Sequence, residues 1–296
     1  MMRHPKPLPI WDRAQGKMFE EWMDDSPDTY ETIPQKSFSQ QFRSRLLYAA
    51  LIGLYQSTRY SKRHIESFVR KYHIDMSEFE ARDYTSYDDF FVRRFRPGVR
   101  SFPTSPEEMG AFAEARYFGW EKFSADQQFP VKGRSLNAEQ LLGSADRARP
   151  FMNGPLIVAR LSPVDYHHVH YPDSGHTLER HKKGHRLWTV TWKAMENKSD
   201  IYIVNEREIH ILETENFGRL AMVEVGALTV GRISQVHPVE QPFQRGDQKS
   251  VFHFGGSAVV LLGEPGAWRP SNDILEYTQQ GVETLVRLGD PIAKRC

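Results

Sequence analysis

The sequence has almost no cysteine, no long apolar run and no excess of either charge. Its single cysteine, Cys296, excludes an intrachain disulfide and a cysteine-built metal centre, which suits a reducing compartment. The greasiest stretch, Leu46 to Tyr55 (LLYAALIGLY), is about half the ~20 residues that a membrane-spanning helix needs, so no transmembrane segment is expected. The N-terminal MMRHPKPLPIWD lacks the apolar core of a signal peptide. Lys and Arg (39) nearly balance Asp and Glu (38), a formal charge of +1. That balance gives no bulk attraction for nucleic acid, and none is expected as a partner. What is present, 39% hydrophobic and 26% charged residues over 296 positions, is enough for a globular core.

Residues 1–40 are polar and irregular, punctuated by Pro5, Pro7, Pro9, Pro27 and Pro34. From about Phe42 to Tyr72 the spacing turns helical, with Leu46, Leu47, Ala50, Leu51 and Leu54, then Ile65, Phe68 and Val69. Arg43, Arg45, Arg59, Lys62, Arg63, Arg70 and Lys71 lie among these positions. Such a helix either packs on its own core, the commoner case, or docks on anionic lipid. A short helix is expected over Tyr87 to Arg94, then an extended linker, with a boundary near residues 96–106. Beyond it the segments GPLIVARL, RLWTVTW, IYIV, REIHILET, RLAMVEV, ALTVGRISQV, SVFHF and SAVVLL read as short strands. The expectation is an α+β chain: an N-terminal helical region over 1–100 and an antiparallel β-rich domain over 101–296, a sandwich or partly closed barrel. A helix around Ala138 to Leu142 is a minor element.

Two constellations could carry chemistry. Asp165 to Gly175 (DYHHVHYPDSG) holds three histidines; if extended, His168 and His170 share one face and His167 points the other way. A metal site is not expected. No cysteine assists, and His181 and His185, spaced i,i+4, enclose Gly184 where no helix is expected. Acid–base work suits these imidazoles better. Phe252 to Leu262 (FHFGGSAVVLL) interrupts a strand with two glycines. It is not the G-x-S-x-G nucleophile elbow, and composition alone favours a bend or bulge. EVGALTVGRI and the Asn205 to Arg207 triplet likewise read as bends and turns, and no dinucleotide fingerprint is present.

Six segments nevertheless occur in a telling order: SYDDFFVRRFRPGVR, KGRSLNAEQLLG, LSPVDYHHVHYPDSG, NEREIHILET with NFG, VEVGALTVGRI and FHFGGSAVVLL. In that order they resemble the phosphatidylserine decarboxylases, and WDRAQGK and HIESFVRKYHIDMSEFE resemble one bacterial branch of that family. The resemblance runs from about residue 10 to about residue 265. It implies a proenzyme that cuts itself at the Gly256–Ser257 bond, giving a β chain (1–256) and an α chain (257–296) that begins with a covalent pyruvoyl group made from Ser257. Serine suits this because its oxygen is first nucleophile and then leaving group. Gly256 lets the backbone reach a strained geometry.

By the same resemblance His170 is the self-cleavage base, and His167 serves decarboxylation and proton transfer. His168 stands where many relatives carry arginine and receives no role. In Ala111-Phe112-Ala113-Glu114-Ala115, Glu114 stands where relatives carry the aspartate of Ser-Pro-Ala-Asp-Gly, as the carboxylate orienting His170. Ala258 replaces a frequent threonine. The implied activity is pyruvoyl-dependent decarboxylation of phosphatidylserine to phosphatidylethanolamine, without a metal, by a peripheral membrane protein on the cytoplasmic side. Implied partners are phosphatidylserine in membranes, the protein's own cleaved chains and a second copy in a homodimer. Two alternatives stand beside it: a decarboxylase of the same fold acting on a soluble amino acid, and a non-enzymatic lipid-binding relative that never matures because Glu114 replaces aspartate.

Overall fold

The computed structural model describes residues 7–21, 46–123, 137–188, 190, 200–227, 233–255 and 257–296. Strands β1 (Leu8–Asp12) and β2 (Lys17–Glu21) open the described chain. Helices α1 (Leu46–Gln56), α2 (Ile65–Tyr72) and α3 (Tyr87–Phe91) follow, with a 3-10 turn over Arg59–His64. Then come β3 (Glu108–Gly110), β4 (Ala115–Trp120), α4 (Ala138–Leu142), α5 (Ala145–Ala148), β5 (Leu156–Leu161), β6 (His168–His170), β7 (Gly175–Lys183), α6 (Ile201–Val204), β8 (Arg207–Thr214), β9 (Gly218–Gly226) and β10 (Ile233–Gln235). The rest is β11 (Gln248–Phe252), β12 (Ser257–Gly263), β13 (Trp268–Pro270), α7 (Asn272–Gln279), β14 (Glu283–Val286) and β15 (Pro291–Arg295). This is an α+β fold. Among the described residues no helix is long and apolar enough to cross a membrane.

A nine-stranded sheet in the order β2-β1-β14-β4-β5-β12-β9-β8-β7 dominates. It is antiparallel except where β1 runs parallel to β14. Every residue of β12 is buried, which is why its sequence is an unbroken small-and-apolar run: a strand covered on both faces has no polar side to show. Alternation sends Ala258, Val260 and Leu262 into one core with Val158, Val223 and Phe118. It sends Val259 and Leu261 into the other, with Leu161, Val169 and Phe252. Val169 and Phe252 come from the small sheet β10-β11-β6, which therefore packs on the face to which Ser257 points.

Two expectations need correcting. The irregular N-terminal stretch contains the β1–β2 hairpin, stitched to the large sheet by β14. Its turn is closed by Gly16 N–H donating to the Asp12 carbonyl at 2.9 Å, with Gly16 at φ 62° and the Asp12 carboxylate accepting from Gln15 N–H. Ile10 anchors it in the core. IYIV, expected as a strand, is the helical turn α6. Asn205 ends it and spends its side chain on Trp188 and Gly226 backbone, and Ile201 and Tyr202 are buried, so tertiary packing overrides β propensity. Arg43, Arg45 and much of RLWTVTW and ALTVGRISQV fall outside the described residues, as do the side chains of Leu46, Leu47 and Ala50.

The helical region is joined directly to the β-rich part. Tyr84, Tyr87, Phe90 and Phe91 form a core with Ile65, Phe68 and Val69, and Phe254 packs into it from just before β12. On the outside of the helices Leu51, Leu54 and Tyr60 are exposed, beside exposed Arg59, Lys62 and Arg63.

A candidate active site at Ser257

Ser257 begins β12, paired with Leu161 of β5 on one side and Gly226 of β9 on the other. It is completely buried, and its Oγ has no hydrogen-bond partner. A buried hydroxyl without a partner forfeits its hydration for nothing in return, which marks it as a candidate for chemistry. The preceding bend carries Gly255 at φ 131°, a conformation that L side chains rarely adopt. Gly256, predicted at the cleavage bond, lies outside the described residues.

The three histidines sit on β6 and just before it, next to β11. The ladder pairs His168 with Val251 and His170 with Gln248, and His167 carbonyl accepts from Phe252 N–H at 2.9 Å. Val169 and Phe252 point inward, so alternation turns His167 inward with them and His168 and His170 outward. His167 is fully buried, stacks on Phe91 with centroids 4.0 Å apart, and has Nε2 3.1 Å from the Ser162 carbonyl. A carbonyl can only accept, so Nε2 carries the hydrogen and Nδ1, which has no partner, carries the lone pair. Burial first, and then the charge of Arg93, hold this imidazole far below its ordinary pKa and therefore neutral.

His168 is stacked on Tyr166, donates to the Val92 carbonyl and accepts from Gln248; burial takes its pKa down to about 3. Its contacts are structural. His170 donates through Nδ1 to the Gly246 carbonyl at 2.8 Å, and its Nε2 lies 3.4 Å from the Tyr166 hydroxyl. Burial lowers its pKa, against the pull of that carbonyl.

The predicted contact between Glu114 and His170 is not formed. Both carboxylate oxygens are taken by Arg100, from Nε at 2.7 Å and Nη2 at 2.9 Å, and Oε2 also accepts from Leu288 N–H at 3.2 Å. Arg100 reaches on to Glu78 at 3.0 Å and lies over the Phe95 ring. The job of fixing the His170 tautomer, expected of Glu114, falls to the Gly246 carbonyl. The structure therefore turns Ser257 and His167 toward the interface between the two sheets and His170 away from it, and neither imidazole hydrogen-bonds to Oγ.

Sequence reasoning missed several buried charges around this site. Asp165 accepts from Arg116 and from Ser162 N–H at 2.6 Å, shaping the turn that holds His167; burial nevertheless raises its carboxyl to about 6. Arg93 is fully buried and donates to the Val164 and Asp165 carbonyls, while its Nε and Nη1 have no partner. A bulge between Gln248 and Ser250 lets Lys249 and Ser250 turn to the same acceptor, Glu224. The Lys249 ammonium is 2.9 Å from Glu224, both are fully buried, and Gln235 bridges them at 3.0 Å and 2.6 Å. Glu224 stands opposite Val259, two residues along from the Ser257–Gly226 pair and so on the same face. Among the described residues no group of three or more His, Cys, Asp or Glu side chains is placed to hold a metal ion.

The model of the phosphatidylserine decarboxylase family matches residues 87–294, more than half of the sequence and all of this site. The chain belongs to the phosphatidylserine decarboxylase family. Curated members agree. A phosphatidylserine decarboxylase proenzyme 2 of Clostridium acetobutylicum is 34% identical over 265 residues, covering 90% of each chain. A phosphatidylserine decarboxylase proenzyme of Clostridium botulinum is 32% identical over 96% of this chain and 95% of its own. One from Ruminiclostridium cellulolyticum is 32% identical over 84% of this chain and 83% of its own. For a phosphatidylserine decarboxylase homologue, the α+β fold and the family expected from the ordered motifs are those found.

Proposed function

We propose that this chain is a self-maturing phosphatidylserine decarboxylase whose reactive group is made from Ser257. The observation that carries the reading is the orphaned Ser257 Oγ, buried at the head of β12 directly after a glycine bend. In maturation, Oγ attacks the carbonyl carbon of residue 256, the peptide C–N bond breaks, and the amine takes a proton, leaving an ester. Loss of the Ser257 Cα proton then expels the carboxylate of residue 256, and hydrolysis of the resulting dehydroalanine releases ammonia and leaves a ketone on the α chain. The site fits such a covalent pyruvoyl group, because position 257 is buried, small-sided and free of competing hydrogen bonds. The group would supply an electron sink for the pair of electrons left when carbon dioxide departs.

The chain's own residues then handle protons. Decarboxylation leaves a carbon that must gain one proton; His167 Nδ1, an unpartnered lone pair in the neutral ring, is suited to take a proton from the incoming substrate ammonium and pass it to that carbon. By the family resemblance His170 is the base for the Ser257 proton: Gly246 fixes its hydrogen on Nδ1 and leaves the lone pair on Nε2, on the outer face of β6. A second reading, favoured by the inward placement of His167, gives both proton transfers to that residue. Glu114 enters through Arg100, as an anchor of the 95–102 and 285–288 segments. Exposed Leu51, Leu54 and Tyr60, with exposed Arg59, Lys62 and Arg63 in the same segment, suit peripheral docking on an anionic bilayer, where a lipid substrate resides.

The test uses phosphatidylserine in detergent micelles. Wild type is expected to release carbon dioxide and form phosphatidylethanolamine, with Ser257→Ala inert. His170→Gln is expected to stay uncut, and His167→Gln to be cut but inactive; an uncut His167→Gln favours the second reading. Equal turnover of free serine would contradict the lipid substrate, and no turnover by a matured wild type would contradict the activity.

A further inference from the structure

Helix α3 grips the chain just before the reactive serine. Asp88 Oδ2 accepts from His253 Nδ1 at 2.9 Å, and Asp88 Oδ1 accepts from Phe254 backbone N–H at 3.2 Å. The other nitrogen of His253 is 3.1 Å from Ser234 Oγ on β10. The Phe254 ring lies against Tyr87 and Phe91, with centroids 5.2 Å and 5.3 Å apart. The helix carrying these contacts is itself held, since Tyr87 N–H donates to Ser61 Oγ at 2.9 Å and Ser86 caps its first turn. Its Phe91 also stacks on His167. One short helix therefore touches both the chain upstream of Ser257 and the inward histidine.

Residues 253–255 follow the last strand of the small sheet and lead toward β12 of the large one. Two consecutive glycines give this passage the widest backbone freedom in the code. Attack by Oγ on the preceding carbonyl needs that carbonyl held in one orientation, and orientation of reacting atoms is worth orders of magnitude in rate. Downstream, Ser257 is fixed by ladder pairs to Leu161 and Gly226. Upstream, within the described residues, the fixed points are His253 and Phe254, and Asp88 holds both.

We propose that Asp88 is a positioning residue for self-cleavage, clamping the chain through His253 and the Phe254 amide so that the carbonyl before Ser257 stays within reach of its hydroxyl. After the cut the same clamp keeps the new carboxyl end of the larger chain beside position 257. This rests on the reading of Ser257 as the cleavage site, and the test separates the two.

Full-length precursor is made by pulse-labelled cell-free synthesis, and cutting is followed on denaturing gels. Asp88→Ala is expected to slow cutting at least about tenfold, and the isosteric Asp88→Asn, which keeps one acceptor but no charge, about threefold. Asp89→Ala serves as the control. It removes the same helix's ion pair with Arg82 and its bond from Thr85 N–H, yet touches nothing in the bend, and it is expected to cut at the wild-type rate. The proposal is overturned if Asp88→Ala cuts within about twofold of wild type, or if Asp89→Ala is slowed as much as Asp88→Ala. If Asp88→Ala does not fold, Asp88→Asn decides, and a wild-type rate there overturns the proposal. An uncut wild type would instead defeat the underlying reading of Ser257.

Discussion

Glu114→Gln removes a charge from a bidentate pair without changing the length of the side chain. Arg100 would keep its two 3.0 Å bonds to Glu78, and the amide oxygen could still accept one of the two bonds now made to Glu114. One charge-assisted hydrogen bond is lost at a mostly buried site, so stability should fall by about 1–2 kcal/mol. For a chain of this size that lowers the melting temperature by about 2–6 °C. The effect on self-cleavage is the sharper question. His170 Nδ1 is already held by the Gly246 carbonyl at 2.8 Å, so cutting should slow by less than about tenfold. A carboxylate that oriented His170 directly would cost about 10³–10⁴ when its charge was removed. Thermal melts and an intact-mass time course of freshly made precursor measure both effects. A folded Glu114→Gln protein that cuts more than about a hundredfold slower would refute the assignment of His170 orientation to Gly246.

Three further outcomes follow from the buried charges and the exposed helical face. Lys249→Met leaves Glu224 buried and uncompensated, so urea unfolding should show a loss of about 3–5 kcal/mol, largely restored in the Lys249→Met, Glu224→Gln double variant; a loss near zero in the single variant would mean the pair is hydrated. Glu21 is opposed by burial, but Arg116 and Arg160 prevail and hold its carboxyl at about 2 instead of 4.5. Its folded pKa is thus below its unfolded one, so its contribution, about 3 kcal/mol at most, is complete above pH ~4.5 and fades as pH falls toward about 2. Glu21→Gln should flatten that acid limb of the stability curve, and an unchanged limb would contradict the assignment. Replacing Arg59, Lys62 and Arg63 together by glutamine should weaken sedimentation with anionic vesicles by about two orders of magnitude at low salt, since each near-surface cation is worth about 1 kcal/mol. Unchanged binding would move the lipid-facing surface elsewhere.

Sequence patterning made the large sheet legible wherever strands are nearly continuous apolar runs, as in LIVARL, broken only by Arg160, and SAVVLL, because burial on both faces leaves a strong compositional mark. It concealed the β1–β2 hairpin, whose membership of the sheet depends on β14, over 260 residues away, and on a turn closed by Asp12 and Gly16. It also misread IYIV, where burial of Ile201 and Tyr202 decides the conformation. At the site, alternation correctly separated His167 from His168 and His170, since period two is a property of the strand alone. Which partners those side chains meet was not legible. The Arg100 that engages Glu114 and the Asp88 that engages His253 follow from chain crossings that no local pattern encodes, and the Lys249–Glu224 pair depends on a bulge that breaks the strict alternation of β11.

The central claim is that Ser257 is consumed in making the reactive group. Intact mass of the purified protein tests it most directly. The account predicts two chains, one of residues 1–256 and one of residues 257–296 whose N-terminus is blocked to Edman chemistry and carries a ketone, with Ser257→Ala remaining a single chain. A wild-type protein that stays one uncut chain after long incubation near neutral pH, with Ser257 intact, would contradict it.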